Sequence, residues 1–255
     1  MQRLVPALQN SLLEALPADD IARLGPQLIH VELERGRLLY DPGDPIDMVY
    51  FPHDGVISLM TLMENGAAIE STTIGPEGAL GLMAAVAPRQ SLSRAIVQTP
   101  LRAARITAER LHEAWEKSPA LQRLVDRHTE ALYGHAIQSV ACNALHSVEA
   151  RFCRWLLTCH DRISSDTVAL TQEFLADMLG VQRTTVTAVA RSLQEKGAIR
   201  YRRGVVDIID RGALQALTCE CYGVIRDNYQ RLLGVPAGKA PMDRDERRAK
   251  FGSAG

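Results

Sequence analysis

Apolar and polar positions change rhythm twice along the chain. Residues 11–30 place apolar side chains at helical spacing, with Ser11 and Asp19 as the N-caps of short helices. From about 31 to 106 the period shortens. "VELERGRLLY", "DMVYFPHDGVISLMTL", "AAIESTTIG" and "SRAIVQTPLRAARI" are short apolar or alternating runs, separated by Gly36, Pro42-Gly43, Gly55, Asn65-Gly66, Gly75 and Pro100. An Asn-Gly pair between alternating runs predicts a tight hairpin. Strands at this spacing predict an antiparallel barrel or sandwich. "GPEGALGLMAAVA" reads as one short helix inside it.

After Thr107 the pattern is helical. Pro119 fits the first turn of a new helix. From there Leu121, Leu124, Val125, His128, Leu132, Ala136 and Ser139 recur at three- and four-residue steps. A helix of about 25 residues would be roughly 37 Å long, more than a small barrel covers. The stripe is therefore expected to bury against a second copy of the chain, with an intramolecular core as the alternative. The expected division is a β-rich domain at 1–116, a dimerisation helix at 117–145 and a second domain at 146–233. The polar, charge-dense residues 234–255 are expected to be disordered.

Residues 170–210, "LTQEFLADMLGVQRTTVTAVARSLQEKGAIRYRRGVVDIID", carry two apolar-striped helices separated by Gly180, then a basic hairpin. Thr171 can cap the first helix, and Phe174, Leu175, Met178 and Leu179 supply its buried stripe. Gly180 falls where the chain must turn through a left-handed conformation. Val186, Val189, Ala190 and Leu193 form the inner face of the second helix. Gln182, Arg183, Thr184, Thr187, Ala188 and Arg191 are left outward. In a helix–turn–helix those outward N-terminal residues reach base edges in the major groove. An arginine there can bond a guanine bidentately, which makes Arg183 the expected base reader and Gln182 and Thr184 weaker ones. Arg200, Arg202 and Arg203 near the tip of the hairpin form a wing that would lie along the phosphate backbone.

Composition sharpens this reading in one respect. The net charge of −1 over 255 residues hides an asymmetry. From residue 146 onward there are 17 Lys+Arg against 13 Asp+Glu, a net of +4; before it, 12 against 17 give −5. Local nucleic-acid contact through the C-terminal portion fits better than uniform coating of a polyanion. The chain contains no run of roughly 18 apolar residues to span a bilayer and no long apolar signal core. It is therefore expected to be soluble and cytoplasmic, with no membrane partner.

On these residues the chain resembles the family of the cyclic AMP receptor protein and the fumarate–nitrate reduction regulator, the Crp/Fnr family, over roughly residues 20–233. "LTQEFLADMLGVQRTTVTAVARSLQEKGAI" is similar to its winged helix–turn–helix without a gap, and "LLYDPGDPIDMVYFPHDGVISLM" to the early strands of its sensory β-roll. The resemblance implies an α+β protein with a jelly-roll-like N-terminal β-roll, a long dimerisation helix and a C-terminal winged helix–turn–helix. It also implies a homodimer on a palindromic promoter site of double-stranded DNA, with RNA polymerase as the partner there. Arg183 matches the family's guanine-reading arginine, and Thr171 a backbone-contacting threonine. Thr184 stands where the best-known members have glutamate, and Ala188 where the nucleotide-responsive archetype has arginine. The half-site sequence is left open by those two departures.

Members that bind cyclic AMP hold its ribose with a glutamate after glycine and its phosphate with an Arg-Ser pair. Here Arg94 matches the arginine, but Ala95 follows it, and Leu82 follows Gly81. Gly75, Glu77, Gly78, Gly81 and Arg94 are the candidates for an effector site, read as one for a nucleotide or other small effector rather than cyclic AMP. The family's iron–sulfur cysteine cluster is absent from the N-terminus, so that cofactor is not expected. Cys142, Cys153, Cys159, Cys219 and Cys221 show no CxxC pair, and the seven histidines no HExxH. No metal site is expected, and Cys153 and Cys159 read as packing residues. No hydrolase elbow, P-loop or dinucleotide fingerprint is present, so the chain is not read as an enzyme. The alternative is a ligand-binding module that regulates a protein partner without reading DNA.

Overall fold

Alternation along the strands is explained by what covers each face of two antiparallel sheets. The computed structural model describes residues 9–234. One sheet runs β1 (Ile29–Leu33), β7 (Leu101–Thr107), β3 (Met48–Asp54). The other runs β2 (Leu38–Tyr40), β6 (Arg94–Val97), β4 (Ile57–Leu62), β5 (Ala68–Ile74). Tyr40, Tyr50, Ile57, Ile74, Val97, Leu101 and Ala103 fill the space between the sheets. On the same two strands Val49, Phe51, Ala104 and Ile106 point the other way, under helices. Val49–Pro52 of β3 and Ala103–Ala104 of β7 are thus buried on both faces, while Arg102 and Arg105 interrupt the apolar run of β7. The Asn65-Gly66 hairpin joins β4 to β5 as expected, with Gly66 at φ 83 and Leu62 opposite Ala68.

Helices close the sensor from its N-terminal side. The cap of α1 (Ser11–Glu14) is Asn10, one residue before the expected Ser11. Its Oδ1 accepts from the amides of Leu12 and Leu13, while Nδ2 donates to Pro52 and Gly78 carbonyls at 2.8 and 2.9 Å. An asparagine can satisfy both demands at a buried position and a serine cannot. Asp19 lies within the first turn of α2 (Ala18–Leu24) rather than at its cap. The short helix expected in "GPEGALGLMAAVA" is a single 3₁₀ turn, Leu82–Ala85.

After α3 (Ala108–Lys117), capped by Thr107, comes the long helix α4 (Pro119–Leu145), 27 residues with Ser118 as its cap. The expected dimer stripe on α4 needs correction. Leu121, Leu124, Val125, His128 and Ser139 are buried within this chain, and Leu132 and Ala136 are half-buried. Leu121, Leu124 and Val125 join the core of Phe51 and Ile106, and His128 Nε2 accepts the Ala79 amide at 3.2 Å. Helical spacing reveals that a stripe exists, but not which surface covers it. Part of the cover is α9 (Cys221–Leu233), which lies back along α4. Ile225, Tyr229 and Leu233 enter the sensor core, and the Tyr229 ring meets His135 edge-on at 6.0 Å. The closing helix of the expected 146–233 domain therefore packs with the sensor. A different face of α4 is bare: Tyr133 is 69 % exposed, Ile137 52 % and Val140 72 %.

The rest of the C-terminal portion has its own core. α5 (Val148–Arg162), α6 (Gln172–Leu179), α7 (Arg183–Glu195) and α8 (Arg211–Leu217) surround Phe152, Leu156, Leu175, Leu179, Val186 and Leu193. A small sheet of β8 (Thr167–Ala169), β10 (Val205–Ile208) and β9 (Ile199–Arg202), in that order, completes it. Val56 and Met60 of the sensor belong to the same apolar cluster, so the two parts are docked together. Buried polar links reinforce the joint: Trp155 Nε1 donates to Glu70 at 3.3 Å and Arg162 pairs with Glu77 at 2.5 Å. Residues 235–255 of the expected disordered tail lie outside the described residues. Among the described residues no helix is long and apolar enough to cross a membrane.

Candidate nucleic-acid interface

Each residue of the helix–turn–helix is placed by local chemistry. The Thr171 hydroxyl accepts the Phe174 amide at 3.2 Å and starts α6. Gly180 ends it at φ 61, ψ 42, and a Cβ there would lie 3.0 Å from Ile69 Cδ1 of β5. The left-handed backbone favours glycine, and the approach to Ile69 leaves little room for a side chain. Gln182 is the N-cap of α7 but makes no side-chain cap bond. Val186, Ala190 and Leu193 turn into the core; Gln182, Arg183, Thr184, Thr187, Ala188 and Arg191 are all exposed. The Thr187 hydroxyl is 3.1 Å from Gln172 Oε1 and 3.0 Å from the Arg183 carbonyl, tying the two helices at their N-terminal ends. Arg191 pairs with Glu195 at 2.9 Å, an exposed pair too weak to withhold the guanidinium from a phosphate.

The wing turns on Arg203 and Gly204, at φ 48 and 78. Positive φ at both central residues is what a two-residue hairpin with native strand twist demands. Arg200 and Arg202 project from one face of β9. Tyr201 turns inward, and its hydroxyl donates to the Leu170 carbonyl at 2.9 Å. Thr171, Gln172, Arg183, Tyr201, Arg203 and Gly204 line an open cleft of about 390 Å³. Fold thus brings together the α6 N-terminus, the first residue of α7 and the wing tip, which are far apart in sequence. Two guanidiniums and a helix N-terminus on one cleft attract anions.

The expected effector residues are not assembled in the same way. Arg94 makes a bidentate pair with Asp41, at 2.6 and 3.0 Å, which holds the Asp41 carboxyl below its ordinary range. Glu77 instead pairs with Arg162, and a Cβ on Gly75 would meet the Arg162 side chain at 2.4 Å. Gly78 sits against His128. Gly81 has φ +80, and a Cβ there would be 2.8 Å from Ile46. These four residues take part in the β-roll's internal packing and its joint with α5, while Arg94 is held by Asp41. Spacing along the chain could not reveal that Arg162 closes this corner from 85 residues away.

Comparison with known proteins agrees with the two-part architecture. Residues 30–118 match the family model described as a cyclic nucleotide-binding domain, and residues 150–217 that of a Crp-like helix-turn-helix domain. The chain is 24% identical over 185 residues to a global nitrogen regulator of Nostoc sp., covering 69% of this chain and 82% of that one. It is 25% identical over 197 residues to a CRP-like cAMP-activated global transcriptional regulator of Mycobacterium tuberculosis, covering 74% and 88%. Among solved structures, FixK2 from Bradyrhizobium japonicum superposes with a TM-score of 0.63 at 18% identity, covering 75% of this chain and 98% of FixK2.

Proposed function

The chain belongs to the Crp/Fnr family of transcription regulators, and from that premise we propose that it binds promoter DNA as a homodimer whose two α7 helices read the halves of a palindromic site. The observation that carries this reading is the exposed face of α7 beside the arginine-bearing wing. Arg183 reads a base edge, Gln182 and Thr184 adjust the preference, and Thr171, Thr187, Arg191, Arg200, Arg202 and Arg203 hold phosphates. Tyr133, Ile137 and Val140 repeat at i, i+4 and i+7, so they form one apolar seam on α4. A second copy packed on that seam would present its reading helix related by two-fold symmetry, matching half-sites about 34 Å apart. RNA polymerase is the partner at such a promoter.

Cyclic AMP is not the signal in this proposal. Its phosphate would have to displace Asp41 from Arg94. Ala95 is buried where a serine hydroxyl would be needed, and buried Leu82 offers a ribose no acceptor. The signal is another small effector that favours one arrangement of sensor and reading domain. Genome-wide occupancy mapping in the source cell tests the reading. Discrete promoter peaks sharing an inverted repeat, lost with Arg183→Ala, are expected; uniform background occupancy contradicts it.

A further inference from the structure

Four metal-ligating side chains that the DNA-reading surface does not use meet where the long helix ends. Cys142 lies in the last turn of α4 and His146 is its C-cap, four residues on and hence on the same side of the helix end. Cys219 and Cys221 come from the link between α8 and the first residue of α9. The ligand atoms of all four lie within 4.8 Å of one another. Cys142 and Cys219 sulfurs are 3.6 Å apart, and Cys221 sulfur is 3.5 Å from His146 Nδ1. We infer that Cys142, His146, Cys219 and Cys221 form a closed, four-ligand site for a thiophilic divalent cation, of which zinc fits best.

The distances match that chemistry. With about 2.3 Å for zinc–sulfur and about 2.05 Å for zinc–nitrogen, the edges of a tetrahedral site are about 3.75 Å between sulfurs and about 3.55 Å from sulfur to nitrogen. The two close pairs already have these lengths. A disulfide would need its sulfurs at about 2.05 Å. Three thiolates and an imidazole select zinc-like ions over magnesium or calcium, which take oxygen ligands. Four protein ligands leave no open position, so the site is structural rather than catalytic.

The surroundings support the cluster in the manner of an outer ligand shell. With Nδ1 turned to Cys221, His146 presents Nε2 to Glu220 Oε1 at 3.2 Å, the carboxylate–histidine arrangement that fixes a ligating imidazole. Gln138 Nε2 donates to the Cys221 sulfur at 3.0 Å. Cys221 is also the first residue of α9. Each ligating thiol gives its proton to solvent on binding. Three thiolates and a divalent ion leave one net negative charge, close to the buried Arg151 and Arg154 of α5. The ion would pin the end of α4 to the start of α9, beside the step from His146 into α5. That step joins the long helix to the DNA-reading part.

The full-length chain, purified without air, provides the test. Elemental analysis is expected to find one zinc per chain. Chelator-stripped protein titrated with Co²⁺ is expected to show the intense visible bands and sulfur charge transfer of a tetrahedral thiolate site, erased by added Zn²⁺. Cys142→Ser and Cys221→Ser should each abolish these bands while keeping the far-ultraviolet dichroism of a folded chain. His146→Ala, which leaves all three thiols, should shift the spectrum rather than remove it. If the cysteine variants do not fold, the wild type decides by itself: Zn²⁺ must raise its melting temperature, and stripping must expose additional thiols to a thiol reagent. A wild-type chain with no stoichiometric metal and no such cobalt spectrum overturns the proposal. So does a weak octahedral cobalt spectrum, or a Cys142–Cys219 disulfide in the air-free protein.

Discussion

Arg183 is the first residue of the reading helix, exposed and close to the wing tip. Loss of a bidentate arginine–guanine contact costs about 1–3 kcal/mol. Arg183→Ala should therefore weaken binding to the preferred site about ten- to a hundred-fold and leave binding to random duplex nearly unchanged, as fluorescence anisotropy would read. Glu70 carries a different prediction. Buried among Ser58, Trp155 and the docked α5, its carboxyl is pushed up to about 7 by burial, against the pull of the Ser58 hydrogen bond and Arg154. Between its ordinary value near 4.5 and about 7, the unfolded chain has lost this proton and the folded chain keeps it. Stability from this group thus falls as pH rises through that window and is flat above it, a loss on the order of 3 kcal/mol. Melting curves from pH 5 to 8 should show Glu70→Gln gaining on wild type up to about pH 7 and holding its lead beyond. The buried His128, pushed down to about 4 by burial, acts oppositely: its stability contribution is lost as pH falls below its ordinary 6.5. The difference between variant and wild type isolates Glu70 from that background. Cap, turn glycine and outward arginine were legible as residues because each has a local signature. Glu70 and Arg162 were not, because their roles come from partners distant in sequence.

At the scale of elements, α4 separates what periodicity reveals from what it hides. Its length and start were legible from Pro119 and the apolar steps, but the covered stripe and the bare one cannot be told apart until α9 and the sheets are in place. Ile137→Glu together with Val140→Glu should shift sedimentation from dimer to monomer at micromolar concentration with little loss of melting temperature. Leu124→Ala should do the reverse, costing about 2–5 kcal/mol of stability as a buried truncation while leaving the dimer. For the wing, the sequence supplied both the turn and its charges. Arg200→Ala and Arg202→Ala should each reduce the log–log salt slope of DNA binding by about 0.9 without changing which sequence is preferred. The Cys142–His146 pair shares the end of one helix, but Cys219 of "CEC" lies 77 residues from Cys142. Neither half is a recognisable motif alone.

For the whole molecule, order and type of parts were legible, from β-roll through long helix to winged helix–turn–helix, because the apolar period changes near residues 31 and 107 and the charge balance near 146. Docking between the parts was not, since Trp155–Glu70, Arg162–Glu77 and Gly180 against Ile69 are contacts between surfaces that have no shared pattern. In the proposed function, a signal at the β-roll reaches the reading helix by favouring one arrangement of that joint over another. The central claim remains recognition of a two-fold DNA site by a dimer, and selection from a random duplex library with the purified protein tests it most directly. The account predicts enrichment of an inverted repeat with half-sites one helical turn apart, each containing a guanine whose preference disappears with Arg183→Ala. Enrichment of no sequence, with and without a panel of candidate effectors, would contradict it.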